Sequence, residues 1–307
     1  MIEVTEMKRG FICLLFSLCV TCLAMTANGQ VRKMKIYISA DMEGVVGVVT
    51  GDQLGPTGFE YNRFREFMTA EVNAAIEAAF EAGATEIWVS DSHGNGENLL
   101  IEKLHKDVTL IRSWPRRLGM MSGIDETFDG VIFLGYHTNT TNMQGVRAHT
   151  IPSARLADVR LNRVSVSEAG MNAAIAGHFN VPIIMVSGDD ALVKETTALL
   201  GNIESATVKW AYGFHSARTL MPEAAYSLIR AKVKNAIGRI KEFKPYKLKT
   251  PVQLEVQFKN YRPSEVLSYL TIVERIDSHS IRFTGKDILE VSNFMQFITT
   301  YEPALEP

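Results

Sequence analysis

Residues 35–44 read KIYISADMEG: a β-branched and aromatic run that passes into two carboxylates and a glycine. The first six, Lys35–Ala40, have the composition of a buried strand. Asp41 and Glu43 stand two apart, so on an extended backbone both carboxylates point to one face and can reach one cation. Two acidic residues ending a strand in solvent explain the pair equally well on its own.

The segments around this strand repeat one pattern. Residues 44–58 are Gly-rich and read as a loop. Residues 61–82 carry Phe64, Phe67, Met68, Val72, Ala75, Ile76 and Ala79 at helical spacing, and Gly83 stops the helix. Residues 86–90 (EIWVS) form the next strand, and Asp91, Ser92, His93 and Gly94 the turn beyond it. Further strands are expected at 108–111, at 130–134, at 159–164 leading into a helix over 168–178, and at 181–186. Gly188, Asp189 and Asp190 then open a helix to about Leu200. Strands separated by helices predict an α/β three-layer sandwich with a largely parallel sheet covered on both faces. A long amphipathic helix over 222–243 leads to a basic, proline-bounded linker at 244–251. After it, alternation at 252–258, 269–273 and 280–283 and a helix over 286–299 predict a smaller C-terminal α+β portion, or strands added to the main sheet. The expected organisation is residues 1–29, a core over 30–245, and this portion over 246–307, integral to the same domain.

Hydrophobic content of 46% and charged content of 21% are those of a globular chain, not a disordered one. The net charge of -2 and the lack of basic runs give no footprint for nucleic acid. Lys8 and Arg9 precede an apolar run at 11–24 and a small, polar exit at 25–30, the pattern of a secretory signal peptide cleaved near Ala27 or Gly29. The run is short of the roughly 20 apolar residues of a membrane span. Cys13, Cys19 and Cys22 all lie inside it, so the processed chain would have neither disulfides nor thiolate ligands. Export without disulfides points to a bacterial envelope, periplasmic or extracellular. Any transition-metal site must then be built from carboxylates and imidazoles.

Such groups stand where ligands gather in open α/β sheets, just beyond the carboxyl ends of strands. Asp41 and Glu43 follow the first, His93 the second, and His137 the strand ending FLGY. Their coincidence points to a metallohydrolase, with enough oxygen and nitrogen donors for two divalent ions. Glu168 fits the S-x-x-E capping box of residues 165–168, in which it would bond a helix amide instead. His149, in a polar loop, reads equally as a surface histidine. Asp189 or Asp190 could bind metal, although an aspartate at a helix start is commonly an N-cap. His105, His178, His215 and His279 are assigned to no site.

Taken together, DMEG at 41–44, VSDSHGN at 89–95, FLGYH at 133–137, Gly145 to His149, SEAGMNAAIAG at 167–177 and VPIIMVSGDDALVKE at 181–195 resemble the zinc-dependent D-aminopeptidases of the DppA type. The resemblance runs in order from Met34 onward. It implies a dinuclear zinc site in which Asp41 bridges, Glu43 and His137 complete one metal and His93 and Glu168 the other, with His149 as the catalytic residue. Manganese or cobalt would suit the same donors. It further implies ring-shaped homo-oligomers and removal of an N-terminal D-residue from short peptides or amides by a metal-activated water. The family's best-known setting is cytoplasmic, whereas this chain carries an export signal. Two rival readings are another dinuclear metallohydrolase, such as an amidase or phosphoesterase, and a non-catalytic peptide-binding protein of the envelope.

Overall fold

The computed structural model describes residues 33–301. The expected signal peptide and the three cysteines lie outside the described residues. Lys35–Ala40 forms β1, and it lies between β2 (Glu86–Asp91) and β4 (Gly130–Tyr136), parallel to both. The main sheet has seven strands in the order β3-β2-β1-β4-β7-β8-β9, adding β3 (Thr109–Ile111), β7 (Ile183–Asp189), β8 (Glu204–Gly213) and β9 (Ser216–Thr219). Every pairing is parallel except that of β9 with β8. The order reverses between β1 and β4, which opens a crevice at their carboxyl ends.

Alternation along β1 separates two cores. Ile36, Ile38 and Ala40 face α1 (Tyr61–Glu81) and α4 (Pro222–Gly238). Tyr37 faces the opposite core, which includes α2 (Glu168–His178) and Leu192 of α3 (Asp190–Leu200). Helices on both faces make the three layers expected. β4 and β7 are buried along their full length, and each reads as a continuous apolar run because both faces are covered.

A second sheet of five strands, order β11-β12-β10-β5-β6, shares the α2 core. Its β10 (Val252–Phe258), β11 (Val273–Arg275) and β12 (Ser280–Gly285) come from the C-terminal section, and β5 (Leu156–Leu161) and β6 (Val164–Ser165) from mid-chain. All its pairings are antiparallel, with Leu254 opposite Leu161. The single strand expected at 159–164 is therefore two, folded back at Asn162 and Arg163, whose φ angles of 47° and 72° suit a tight two-residue hairpin. The strand expected at 269–273 is displaced: the helix α5 (Tyr261–Leu267) precedes an exposed turn, and pairing begins only at Val273. The helix at 222–243 ends at Gly238, with a short 3-10 turn after it. β8 and β9 were not expected, because Lys209 interrupts the apolar run of β8 in mid-strand. α6 (Ile288–Thr300) closes the described chain, its N-cap Asp287 accepting from the Glu290 amide.

Candidate metal centre

The ends of β1 and β4 meet in backbone contact. A Cβ on Gly44 would lie 2.1 Å from the Tyr136 carbonyl oxygen, and one on Gly135 would lie 2.2 Å from that of Asp41. Gly44 thus permits close approach more than a sharp turn, and its N–H donates to Gly135 O at 2.6 Å. This contact sets Asp41 and Glu43 opposite His137. His93 arrives from the β2 end on a loop tied down by Asp91, which accepts from the amides of Asn98 (2.6 Å) and Leu99 (2.7 Å). Glu168 arrives from the far side, as the first residue of α2.

The capping box at 165–168 does not form. Ser167 is the N-cap, its side chain accepting from Gly170 N, so Glu168 is free of that duty and points into the crevice. There Oε1 accepts from the Ile151 amide at 2.7 Å and Oε2 stands 3.6 Å from His137 Nε2. His149 joins the cluster, its ring stacked on His137 with centroids 4.0 Å apart and planes at 11°. It is flanked by Arg147 and Ile151, both left-handed, with φ of 56° and 58°. For a β-branched residue this conformation costs on the order of 1–3 kcal/mol, and the Ile151–Glu168 bond helps to hold it.

Each of the three imidazoles commits one nitrogen to a backbone carbonyl. His93 Nε2 is 2.7 Å from Leu54 O, His137 Nδ1 3.0 Å from Thr138 O, and His149 Nδ1 2.7 Å from Arg147 O. Donation there fixes the tautomers and turns the other nitrogen toward carboxylates, as in ligand histidines held by an outer partner. His93 Nδ1 lies 3.1 Å from Asp41 and 2.9 Å from Glu43. His137 Nε2 lies 3.3 Å from Asp41, and His149 Nε2 lies 3.9 Å from both Glu43 and Glu168.

Asp41 Oδ2 and His137 Nε2 are buried and face each other at 3.3 Å, yet neither makes a well-formed hydrogen bond, a costly arrangement that a cation between them would relieve. Three buried carboxylates and three oriented imidazole nitrogens are donors suited to borderline divalent metals. The residues therefore fit metal on the chemistry of the site itself. The ligand atoms gather as Asp41, Glu43 and His93, as Asp41, His137 and Glu168, and as Glu43, His137 and His149. Asp41 sits between the first two groups. The resemblance pairs Glu43 with His137 and His93 with Glu168; in the structure Glu43 lies within ligand distance of both His93 and His137, and Glu168 lies beside His137.

The electrostatics express the same crowding. Burial, with Glu43 adding to it, pushes Asp41 up to about 6. Burial also pushes Glu43 up, but His93 beside it, with His149 and His137, outweighs this and holds it well below the usual carboxylate range. At Glu168 burial likewise pushes upward, and His137 outweighs it and lowers the carboxyl. His93 and His137 rise well above the ordinary imidazole value, because the carboxylates opposite them exceed the cost of burial. His149 is lowered, by burial and by His137.

Beside the cluster lies a cavity of about 340 Å³, walled by Trp114, Met120 and Ile151 and by Gln296, Thr299 and Thr300 of α6. None of these walls was singled out by sequence, since aromatic, apolar and amide residues carry no spacing signal. Asp189 is an N-cap, accepting from Leu192 N, and its other oxygen accepts from Val146 N. His105, His178, His215 and His279 belong to none of the metal-type groups.

The model of the M55 peptidase family, described as D-aminopeptidase, matches residues 34–297. A D-aminopeptidase of Bacillus subtilis (strain 168) is 34% identical over 270 residues, covering 87% of this chain and 97% of its own. A solved structure described as the Zn-dependent D-aminopeptidase DppA from Bacillus subtilis, a self-compartmentalizing protease, superposes with a TM-score of 0.84. It shares 34% identity over 87% of this chain and 97% of its own.

Proposed function

This chain belongs to the D-aminopeptidase family and is a metal-dependent aminopeptidase, and on that premise we propose that it removes N-terminal D-residues from short peptides or amides with two zinc ions. Asp41, Glu43 and His93 would hold one ion and Asp41, His137 and Glu168 the other, with Asp41 shared. Manganese or cobalt would suit the same donors. Zinc, when bound, supplies a Lewis acid for the scissile carbonyl and a water that ionises near pH 7.

The chain's own groups do the rest. His149 presents Nε2 to the cavity, with 13% of its side chain exposed, and its Nδ1 is committed to Arg147 O. It can accept a proton at Nε2 and return it to the departing amine, which a peptide cleavage requires and a metal does not provide. Trp114, Met120 and Ile151 give the side chain of a substrate an apolar wall, while Gln296 and Thr299 offer bonds to its backbone. The observation that carries the reading is the set of three imidazoles, each fixed by a backbone carbonyl and each aimed at buried carboxylates.

The charged n-region and apolar run at 8–24 support an exported, envelope-resident enzyme. D-alanyl peptides released from cell-wall turnover are substrates of fitting chemistry there. A ring-shaped homo-oligomer is supported by the relative described as self-compartmentalizing. Among the described residues no helix is long and apolar enough to cross a membrane. The amidase, phosphoesterase and binding-protein readings are not favoured in a D-aminopeptidase family member.

The deciding experiment is hydrolysis of D-Ala-D-Ala beside L-Ala-L-Ala, with zinc and with chelator. Cleavage of the D-peptide alone, abolished by chelator and restored by zinc, is expected. A protein loaded with metal that leaves every D-alanyl peptide and amide intact would sink the reading.

A further inference from the structure

Lys209 is an ammonium without solvent contact that no step of the proposed reaction uses. It lies in β8, in register with Asp189 of β7 and Thr219 of β9. Its Nζ donates to the carbonyl oxygens of Glu43, of Val45 at 3.2 Å and of Val48 at 2.7 Å. An ammonium has three N–H donors, and these three carbonyls satisfy them all. Carbonyl dipoles converging on one buried point repel one another, so the loop conformation that aims them there is favourable only around a cation.

That loop is the continuation of DMEG. Glu43 offers its carboxylate to His93, at 2.9 Å, and its own carbonyl to Lys209. Between the bonded carbonyls, the Val46 N–H donates to buried Glu71 at 2.9 Å. Asp189 accepts from the Val146 N–H at 2.7 Å, three residues before His149. Three buried ionisable groups, Lys209, Glu71 and Asp189, thus bind the backbones of two loops that carry site residues.

We propose that Lys209 is a positioning residue of the metal site, an internal cation that holds the 43–48 loop and so fixes the Glu43 carboxylate against His93. The proposal rests on the reading of Asp41, Glu43 and His93 as metal ligands. It predicts a selective lesion, because Lys209 touches the loop of Glu43 and makes no bond to the loops of His137 or Glu168.

Lys209→Met keeps the length and removes all three donors; Lys209→Gln supplies at most two. For each, the affinities of the two zinc sites are measured by competition with a chelator. Cobalt absorption spectra report ligand geometry, and kcat and KM are determined on D-Ala-D-Ala. Far-UV circular dichroism and a cooperative melt establish folding. For Lys209→Met, one affinity should fall by about 10–100-fold, as for loss of an outer partner of a metal ligand, while the other stays within a few-fold. The cobalt spectrum should change at one site, and kcat should fall more than KM rises. Lys209→Gln should lie between Lys209→Met and the unmutated protein. A folded variant with both affinities and the cobalt spectrum unchanged would overturn the proposal, as would equal losses at both sites. Failure of both variants to fold would overturn it too, in favour of a purely structural lysine. If the unmutated protein itself binds no zinc, the metal reading falls and this inference with it; selective loss in the variants alone cannot be mistaken for that result.

Discussion

Gly44→Ala is the smallest change that should break the site. The new methyl carbon would lie 2.1 Å from Tyr136 O and 2.4 Å from Gly135 C, both backbone atoms at the end of β4. No rotamer relieves a Cβ, so the ends of β1 and β4 must part by about 1 Å to restore van der Waals contact. That separation also strains the Gly44 N–H bond to Gly135 O. Overpacking against backbone costs about 2–4 kcal/mol, which for a chain of this size lowers Tm by roughly 3–8 °C. The same movement draws Asp41 and Glu43 away from His137, and a misplacement of about 1 Å costs about 100-fold in rate. Zinc content, Tm and kcat/KM are measured beside Gly55→Ala, where nothing lies within 4 Å of the added carbon. A Gly44→Ala protein with full zinc content, kcat/KM within about threefold and an unshifted Tm would show that the strand ends do not set the ligand geometry, against the close-packing argument.

Three further outcomes follow from the site and its surroundings. Asp41→Asn, which disturbs the carboxylate facing both ligand groups, should abolish binding of both ions, whereas His93→Ala should spare one; metal analysis after gel filtration distinguishes them, and equal stoichiometry in the two would refute the shared role. His149→Ala should keep its metals and lose about 100- to 10,000-fold in kcat, the usual range for a positioned acid–base group; loss of zinc instead would make His149 a ligand. Burial raises Glu71 from 4.5 to about 7, so the folded protein holds a proton that the unfolded chain releases across that window. This contribution to stability is present in acid and lost as pH rises through about 7. Glu71→Gln should therefore gain on the unmutated protein between pH 4.5 and 7 by up to about 3 kcal/mol, then run parallel above; urea unfolding across pH that shows no such divergence would refute it.

Much of this protein is local. β1, α1, α2 and β10 lie within a residue or two of their expected bounds, because apolar periodicity and a stop such as Gly83 are written in neighbouring residues. Asp41, Glu43, His93 and His137 were visible as well, since a polar ligand type directly after a buried strand marks the end where crevices form. Other features depended on partners far away in the chain. The hairpin at 156–165 turns on two left-handed residues and on pairing with β10, nearly a hundred positions later. Glu168 fits a capping box by sequence, but the helix starts two residues too late for it, with Ser167 and not Ser165 as the N-cap.

What the sequence alone determined was the layered α/β architecture, the ligand chemistry and, through ordered motifs, the family. Only the tertiary structure decided which ligand stands beside which, that α6 walls the cavity, and that a lysine in mid-strand lies under the DMEG loop. The reason is physical: element type follows from periodicity over a few residues, whereas ligand grouping and buried charge compensation depend on atoms a few ångströms apart that the chain separates by tens to more than a hundred residues.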